Sequence, residues 1–420
     1  MFRKTKITRT LCLIAFAGVL PITAAVAQDT SPAVRLITLD DAQAQAAAAT
    51  MKNLGRLGID AAKYHRQAVR ADYFPKVDAS FLNLHYNKFM GQTLQLFRRD
   101  ASLPLFGKDE TAVAFTVIQP VTQLLQVRQA VNLARADEEI ARAKADSMTS
   151  QIAANVEHSY FALLIAQRRQ AIAETKVKMQ ESRSQLASTR AMPVGNMMDH
   201  EATLLEAQRE LITANNEVTQ LTQSLNTLIG FPPDTKLVLA APEPTTETVS
   251  LPQATQQAVA NSPEVVEAEQ TVVKAKAASK LSKLEYVPAV AVIGGYINQP
   301  QPVLPLLPSD FSFIGFTATY TIFDFGKREK TVSERNTQVS MAEANLTLVQ
   351  AKVAAGVQKA FLDLERSRKI RDLTRQLAVG YQEAAMNNTS ARAKAEAEMF
   401  QAEMDYRSAY AQLKRLINGR

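Results

Sequence analysis

Residues 113–164 read VAFTVIQPVTQLLQVRQAVNLARADEEIARAKADSMTSQIAANVEHSYFALL. This stretch decides the fold because it occurs twice. Shifted by 201 positions it falls without a gap on residues 314–365. Phe115-Thr116 then meets Phe316-Thr317, Val131 meets Val332, and Ala153-Ala154 meets Ala354-Ala355. Val156, Tyr160 and Leu163 meet Val357, Phe361 and Leu364. Each copy starts as a short alternating strand and runs directly into a very long helical pattern. An internal repeat of this kind governs the architecture and is read before anything else.

Around each copy the same plan recurs. In the first, Thr38-Leu39-Asp40-Asp41 opens a helix with capping residues and early acids, and Pro75 stops it near Tyr73. Residues 76–86 then alternate, with Val77, Ala79 and Phe81 on one face. Residues 87–109 read as a loop, and 111–119 as a second strand. From Val121 to about Ala191 there is no glycine or proline, so about 71 helical residues would span ~105 Å. Pro193-Val194-Gly195-Asn196 reads as the turn of a long hairpin, at about residues 192–196. The return helix carries an apolar seam at Leu204, Ala207, Leu211, Ala214, Val218, Leu221, Leu225 and Leu228, the 3-4 spacing of a coiled coil. Residues 234–250 read as a linker rich in Pro and Thr. The second copy then follows: a helix over 251–286, strands at 289–297 and 311–321, a long helix from about Phe323 to Met386, and a last helix from about Ala391 to Ile417. Its hairpin turn falls at about 387–390. The first repeat is thus 28–233 and the second 251–420. In each, the two shorter helices together match the long one, which predicts short rods stacked end to end beside long rods.

Composition supports helices and excludes several function classes. Glycine is scarce at 14 residues and tryptophan is absent, a bias of long helical chains. Residues 1–27 read as a secretory signal. Arg3, Lys4, Lys6 and Arg9 precede a mostly apolar stretch, and Ala25-Val26-Ala27 has the form of a cleavage site. Those four cations carry most of the formal charge, which drops from +7 to +3 without them. A basic surface for nucleic acid is therefore not indicated. The only cysteine, Cys12, lies in the signal, so the mature chain is expected to hold no disulfide. No catalytic grouping appears: there is no His-Glu-x-x-His spacing and no phosphate-binding Gly-rich loop. His65, His85, His158 and His200 are scattered. Met192, Met197, Met198, Asp199 and His200 gather near the first turn, and read better as an adaptable apolar surface than as a copper site. The chain is expected to be no enzyme and to need no cofactor or metal.

The strands carry the functional argument. Past the signal no apolar run approaches the ~20 residues of a spanning helix. The four strands of about nine to eleven residues do match the length of a tilted membrane strand. Val113, Phe115 and Val117 share one face, as do Ile314, Phe316 and Ala318, so these six are expected to face lipid. Four strands cannot close a barrel, and an open edge in lipid leaves peptide groups unsatisfied, so several chains must share one barrel.

At this point the chain resembles the TolC-type outer-membrane efflux proteins. The resemblance rests on the helix-strand-strand-long helix-helix unit used twice and on Tyr73-Phe74-Pro75 and Tyr286-Val287-Pro288 before the first strand of each copy. It rests also on Phe115-Thr116-Val117-Ile118-Gln119-Pro120, the turn Thr321-Ile322-Phe323-Asp324-Phe325-Gly326, and the closing Leu416-Ile417-Asn418-Gly419. It implies a mainly α fold with a β-barrel part: a homotrimer whose twelve strands form an outer-membrane barrel, continued by an α-helical tube in the periplasm. The partners it implies are a periplasmic adaptor, an inner-membrane pump and outer-membrane lipid. The hairpin tips would dock on the adaptor, with Pro193, Val194, Gly195 and Asn196 at the first tip and Asn387 and Asn388 at the second. The second lacks the Val-Gly pair and its hairpin is shorter, which predicts a recessed position at the periplasmic mouth. A duct for protein secretion shares this architecture, and a structural periplasmic coiled coil is the rival outside transport.

Overall fold

The structure, a computed structural model, describes residues 35–50, 54–87, 91–96, 99–104, 109–189, 194–241, 250–299, 308–384 and 389–419. The segment read as a signal lies outside the described residues.

The first repeat begins with β1 (Arg35–Ile37) and α1 (Leu39–Thr50). Thr38 caps α1: the Asp41 N–H donates to Thr38 Oγ1 at 3.2 Å, and the hydroxyl donates back to Asp41 Oδ2 at 2.7 Å. α2 (Arg56–Ala71) follows, and both helices fall within the span 38–73 expected as one helix, of which residues 51–53 lie outside the described residues. Next come β2 (Lys76–His85), β3 (Gly91–Leu96), β4 (Arg99–Pro104) and β5 (Asp109–Pro120). The β3–β4 pair corrects the reading of 87–109 as a loop. Gly91 and Pro104 are partners at the end of that hairpin, so the two breakers close the ladder and do not interrupt it. α3 (Gln123–Thr189) runs for 67 residues, and α4 (Val194–Ile229) returns. Gly230 ends α4 at φ 84°, and both its N–H and that of Phe231 donate to the Asn226 carbonyl.

β6 (Leu237–Leu239) then pairs in parallel with β1. Part of the expected linker 234–250 is therefore packed structure, because Leu237 and Leu239 bury against α3. Tyr160 fastens the two strands. Its hydroxyl lies 2.9 Å from the Ile37 carbonyl and 2.6 Å from that of Ala240, and its single proton serves both. Burial pushes this phenol up to about 12. Tyr160→Phe would leave the Ala240 carbonyl short of a donor, while the Ile37 carbonyl keeps the Ala240 N–H at 3.2 Å, a loss of roughly 1–3 kcal/mol. The expected readout is a lower thermal midpoint with unchanged helix content. An unchanged midpoint would show that packing alone holds the strands.

The second repeat contains α5 (Leu251–Asn261) and α6 (Pro263–Lys283), with a 3-10 turn at Leu284–Tyr286. The one helix expected over 251–286 is corrected to two. Pro263 has no N–H to give and holds Ser262 extended at ψ 122°, which breaks the helix there. β7 (Ala289–Asn298) and β8 (Asp310–Thr319) follow. α7 (Lys327–Ala384) starts four residues later than expected. Phe325 at φ 58° and Gly326 at φ 81° form a left-handed turn, and the Asp324 carboxylate accepts from the Gly326 and Arg328 N–H groups at 3.2 Å each. α8 (Thr389–Asn418) closes the chain. Gly419 follows at φ 69°, and a Cβ there would lie 2.1 Å from the Asn261 carbonyl oxygen, so only glycine fits.

The short helices lie along the long ones. α2 and α4 both pack on α3, and α6 and α8 both pack between α3 and α7. Charged ties mark the successive levels. Arg66 of α2 and Arg142 both reach the buried Glu138 of α3, at 2.6 and 2.8 Å. Further along α3, Lys176 meets Glu210 of α4 at 2.7 Å. The 201-residue repeat is visible in the core. Val156, Tyr160 and Leu163 centre one buried cluster; Val357, with Phe361 and Leu364 against it, centres another.

Candidate functional site

Four strands form one antiparallel sheet in the order β2-β5-β7-β8. Residues directly opposite in such a ladder share a face. Phe81 opposes Val113, Ala79 opposes Phe115, and Val77 opposes Val117. Phe115 opposes Tyr296, which opposes Ser312; Gly294 opposes Ile314, and Val292 opposes Phe316. The register therefore brings Val113, Phe115, Val117, Ile314, Phe316 and Ala318 onto one common face, with Val77, Phe81, Val292 and Tyr296 among them. That face is apolar and open: Ile314 is 85% and Phe316 81% exposed. Exposed aromatic and aliphatic surface of this extent is costly in water and implies an apolar neighbour.

The opposite face differs. Toward the helical end it mixes Lys76, Asp78, Ser80, Thr116, Thr317 and Thr319 with Ile118 and Ile293. Further out, Phe313 opposes Gly295 and lays its ring over it: a Cβ on Gly295 would stand 2.8 Å from two ring carbons and 2.7 Å from the Phe115 carbonyl oxygen. At the outer end, on the same face as Phe81 and Val113, Asn83 Nδ2 donates to Thr111 Oγ1 at 2.9 Å, and His85 Nδ1 meets Asp109 Oδ1 at 2.6 Å, a polar rim to the apolar face. At the inner end, Arg328 ties sheet to stalk. Its guanidinium donates to the Thr321 carbonyl at 2.6 Å and lies over Tyr320 at 4.9 Å and Tyr286 at 5.9 Å.

The outermost strands β2 and β8 each have one neighbour among the described residues. The helical edges below them are also unpartnered. On α7, Met341, Leu348 and Leu362 are exposed at multiples of seven residues; on α4, Met198, Leu205 and Ile212 are exposed at intervals of seven. Both edges thus carry heptad seams that nothing among the described residues covers.

The expected tips are placed unevenly. Val194, Gly195 and Asn196 form the first turn of α4, where the sequence suggested a tight turn; Pro193 lies outside the described residues. Asn387 and Asn388 also lie outside them. Met198 is exposed beside Asp199 and His200, and among the described residues no group of three or more His, Cys, Asp or Glu is placed to hold a metal. No helix among the described residues is long and apolar enough to cross a membrane.

One pair gave no sign of itself in the sequence. Glu157 of α3 is buried and meets Arg415 of α8 at 3.7 Å, across 258 positions of chain. Burial pushes Glu157 up to about 7, a rise that the nearby Arg415 only partly offsets.

Residues 254–395 match the family model described as outer membrane efflux protein. In this match and in its fold, the chain is similar to the TolC-like outer membrane efflux proteins. The solved outer membrane channels of the same fold are distant in sequence. CmeC of Campylobacter jejuni aligns with a TM-score of 0.67 and 11% identity, over 91% of this chain and 85% of that one. VceC of Vibrio cholerae aligns with a TM-score of 0.65 and 13% identity, over 91% and 96%. MtrE of Neisseria gonorrhoeae, in an open state, aligns with a TM-score of 0.64 and 15% identity, over 90% and 86%. At such identities the likeness is one of fold. No curated protein sequence matches significantly. The efflux-protein match covers α6, β7, β8 and α7 whole, and β7 is the strand that pairs with β5 of the first repeat.

Proposed function

We propose that three copies of this efflux protein close a twelve-stranded barrel in the outer membrane, and that their helices continue it as a tube into the periplasm. The observation that carries this reading is the sheet order β2-β5-β7-β8 with two free edges and one apolar face. Edge strands in lipid must be paired, because each unsatisfied peptide group there costs several kcal/mol. The β8 edge of one chain meets the β2 edge of the next in a head-to-tail contact, which is stable only if it closes into a ring. Three chains supply twelve strands. The exposed seam of α7 then packs against the α2 and α4 edge of its neighbour, below the same strand junction. Val113, Phe115, Val117, Ile314, Phe316 and Ala318 face lipid; Asp78, Ser80, Thr116 and Thr317 face the wet interior.

The work of such a barrel is passage. An inner-membrane pump supplies the energy and a periplasmic adaptor joins pump to tube. The duct carries solutes from the pump across the periplasm and out. Membrane fractionation and native mass measurement test this. The expected species is an outer-membrane trimer of full chains, and a soluble monomer in the periplasm would refute it.

The first hairpin tip, Pro193 to Asn196, is the adaptor contact, with Asn387 and Asn388 recessed. Val194 opens α4, where an acid is favourable to the helix dipole. Val194→Asp should therefore leave the trimer intact. Buried at a docked surface, the same charge costs several kcal/mol, so export is expected to fall at least about tenfold. Equal loss of assembled trimer would assign Val194 a structural role.

A further inference from the structure

A cavity of about 620 Å³ opens between α1, α3 and α8, beside Ala240 and Ala241, which follow β6. All of its lining residues belong to this chain. The loosely spaced pair Glu157 and Arg415 forms part of its wall. At 3.7 Å the two attract, yet the Arg415 Nε makes no hydrogen bond although it is out of contact with solvent. A buried donor without an acceptor is unusual and costly, and it lies here on the wall of an open cavity. Asp40 and Lys414 stand at the rim as exposed groups, and Tyr406 and Tyr410 line the side. Arg407, also on the wall, is engaged by Glu403 at 2.9 Å.

The wall thus offers two anions and two cations to an occupant, with aromatic surface between. Asp40 and Glu157 repel a simple anion; Lys414 and Arg415 repel a simple cation. A molecule carrying both charges a few ångströms apart satisfies all four. We propose that this cavity binds a small zwitterion of the amino-acid type, its carboxylate on Arg415 and Lys414 and its ammonium on Glu157 and Asp40. The body of the ligand rests against Tyr406 and Tyr410. The size suits this class, since ligand cavities run from about 300 to 1,000 Å³. The raised pKa of Glu157 agrees, because a buried carboxylate short of partners gains most from a cation brought to it. The same chemistry is carried by a free amino acid and by a short peptide.

Calorimetric titration of the detergent-purified full chain tests the proposal, with alanine and alanyl-alanine as zwitterions and acetate and ethylamine as half-ligands. Saturable binding of at least one zwitterion is expected at concentrations where neither half-ligand binds. Preference for alanine would point to free amino acids, and preference for the dipeptide to peptides. Glu157→Gln and Arg415→Met are each expected to weaken binding at least about tenfold. Lys414→Ala changes only an exposed rim residue, cannot disturb the core, and is expected to weaken binding several-fold. Absence of saturable binding by both zwitterions, acetate binding as tightly as the zwitterions, or full affinity in Lys414→Ala and Glu157→Gln would each overturn the proposal.

Discussion

Gly295→Ala is expected to disable the sheet, and Gly294→Ala is expected to be tolerated. The two glycines are adjacent in β7 but meet different surroundings. A Cβ on Gly294 would lie 3.5 Å from the Phe313 carbonyl oxygen, an ordinary contact. A Cβ on Gly295 would lie 2.7 Å from the Phe115 carbonyl oxygen and 2.8 Å from the Phe313 ring. The ring can rotate away, but the carbonyl belongs to the β5 ladder and cannot move without breaking the pairing of Thr116 with Gly295. Overpacking of this kind costs roughly 1–3 kcal/mol per chain, and a three-fold assembly counts it three times. The expected result is loss of heat-resistant oligomer on gels for Gly295→Ala and wild-type oligomer for Gly294→Ala. Equal assembly of the two variants would show that the strand yields more than the geometry allows.

The second large effect concerns pH. Glu157 is raised to about 7 in the folded chain from an ordinary value of 4.5, with burial as the main cause and Arg415 opposing it. Between those two values the folded chain holds a proton that the unfolded chain releases. Stability therefore falls as pH rises from 4.5 to about 7, and the loss is complete above that window. The whole effect is on the order of 3 kcal/mol for a shift of this size. Glu157→Gln keeps the shape without the charge. It should match the wild type near pH 4 and exceed it at pH 8, where the wild type buries a poorly paired carboxylate. Thermal midpoints of both proteins across that range are the measurement. A wild type that grows more stable between pH 5 and pH 8 relative to the variant would reverse the sign and refute the role given to Glu157.

The helices and the sheet strands were legible in the sequence for simple reasons. Residues 121–191 lack glycine and proline, and α3 fills Gln123–Thr189 of that run. The period-two runs from Lys76, Thr111, Ala289 and Phe311 coincide with β2, β5, β7 and β8 to within a few residues. The 201-residue shift matched Phe115 with Phe316, and the register puts both on the same face. What was not legible depended on partners. β1 and β6 are three residues each and meet across about 200 positions, so neither carries a pattern of its own. The hairpin of β3 and β4 was hidden because its Gly91 and Pro104 signal a loop whichever side of them the ladder lies. The break at Ser262-Pro263 was marked by a proline, but the helical pattern on both sides of it masked that mark. Glu157 and Arg415 gave no signal, since a carboxylate on a long helix is usually solvated and its burial follows only from how α8 lies on α3.

The central claim is that β8 of one chain pairs with β2 of the next and that the third chain closes the ring. Engineered disulfides test it most directly. The only cysteine of the sequence is Cys12, so Cys12→Ser gives a background without thiols. Ala79→Cys in β2 would be combined in turn with Ser312→Cys, Ile314→Cys, Phe316→Cys and Ala318→Cys in β8, which share its face of the sheet. Cysteines cross-link only when their Cα atoms come within about 7 Å. A closed ring of three predicts that at least one combination, oxidised in membranes, gives a non-reducing ladder of one, two and three chains that ends at three. Monomer at every combination, or a ladder that runs past three, would contradict it.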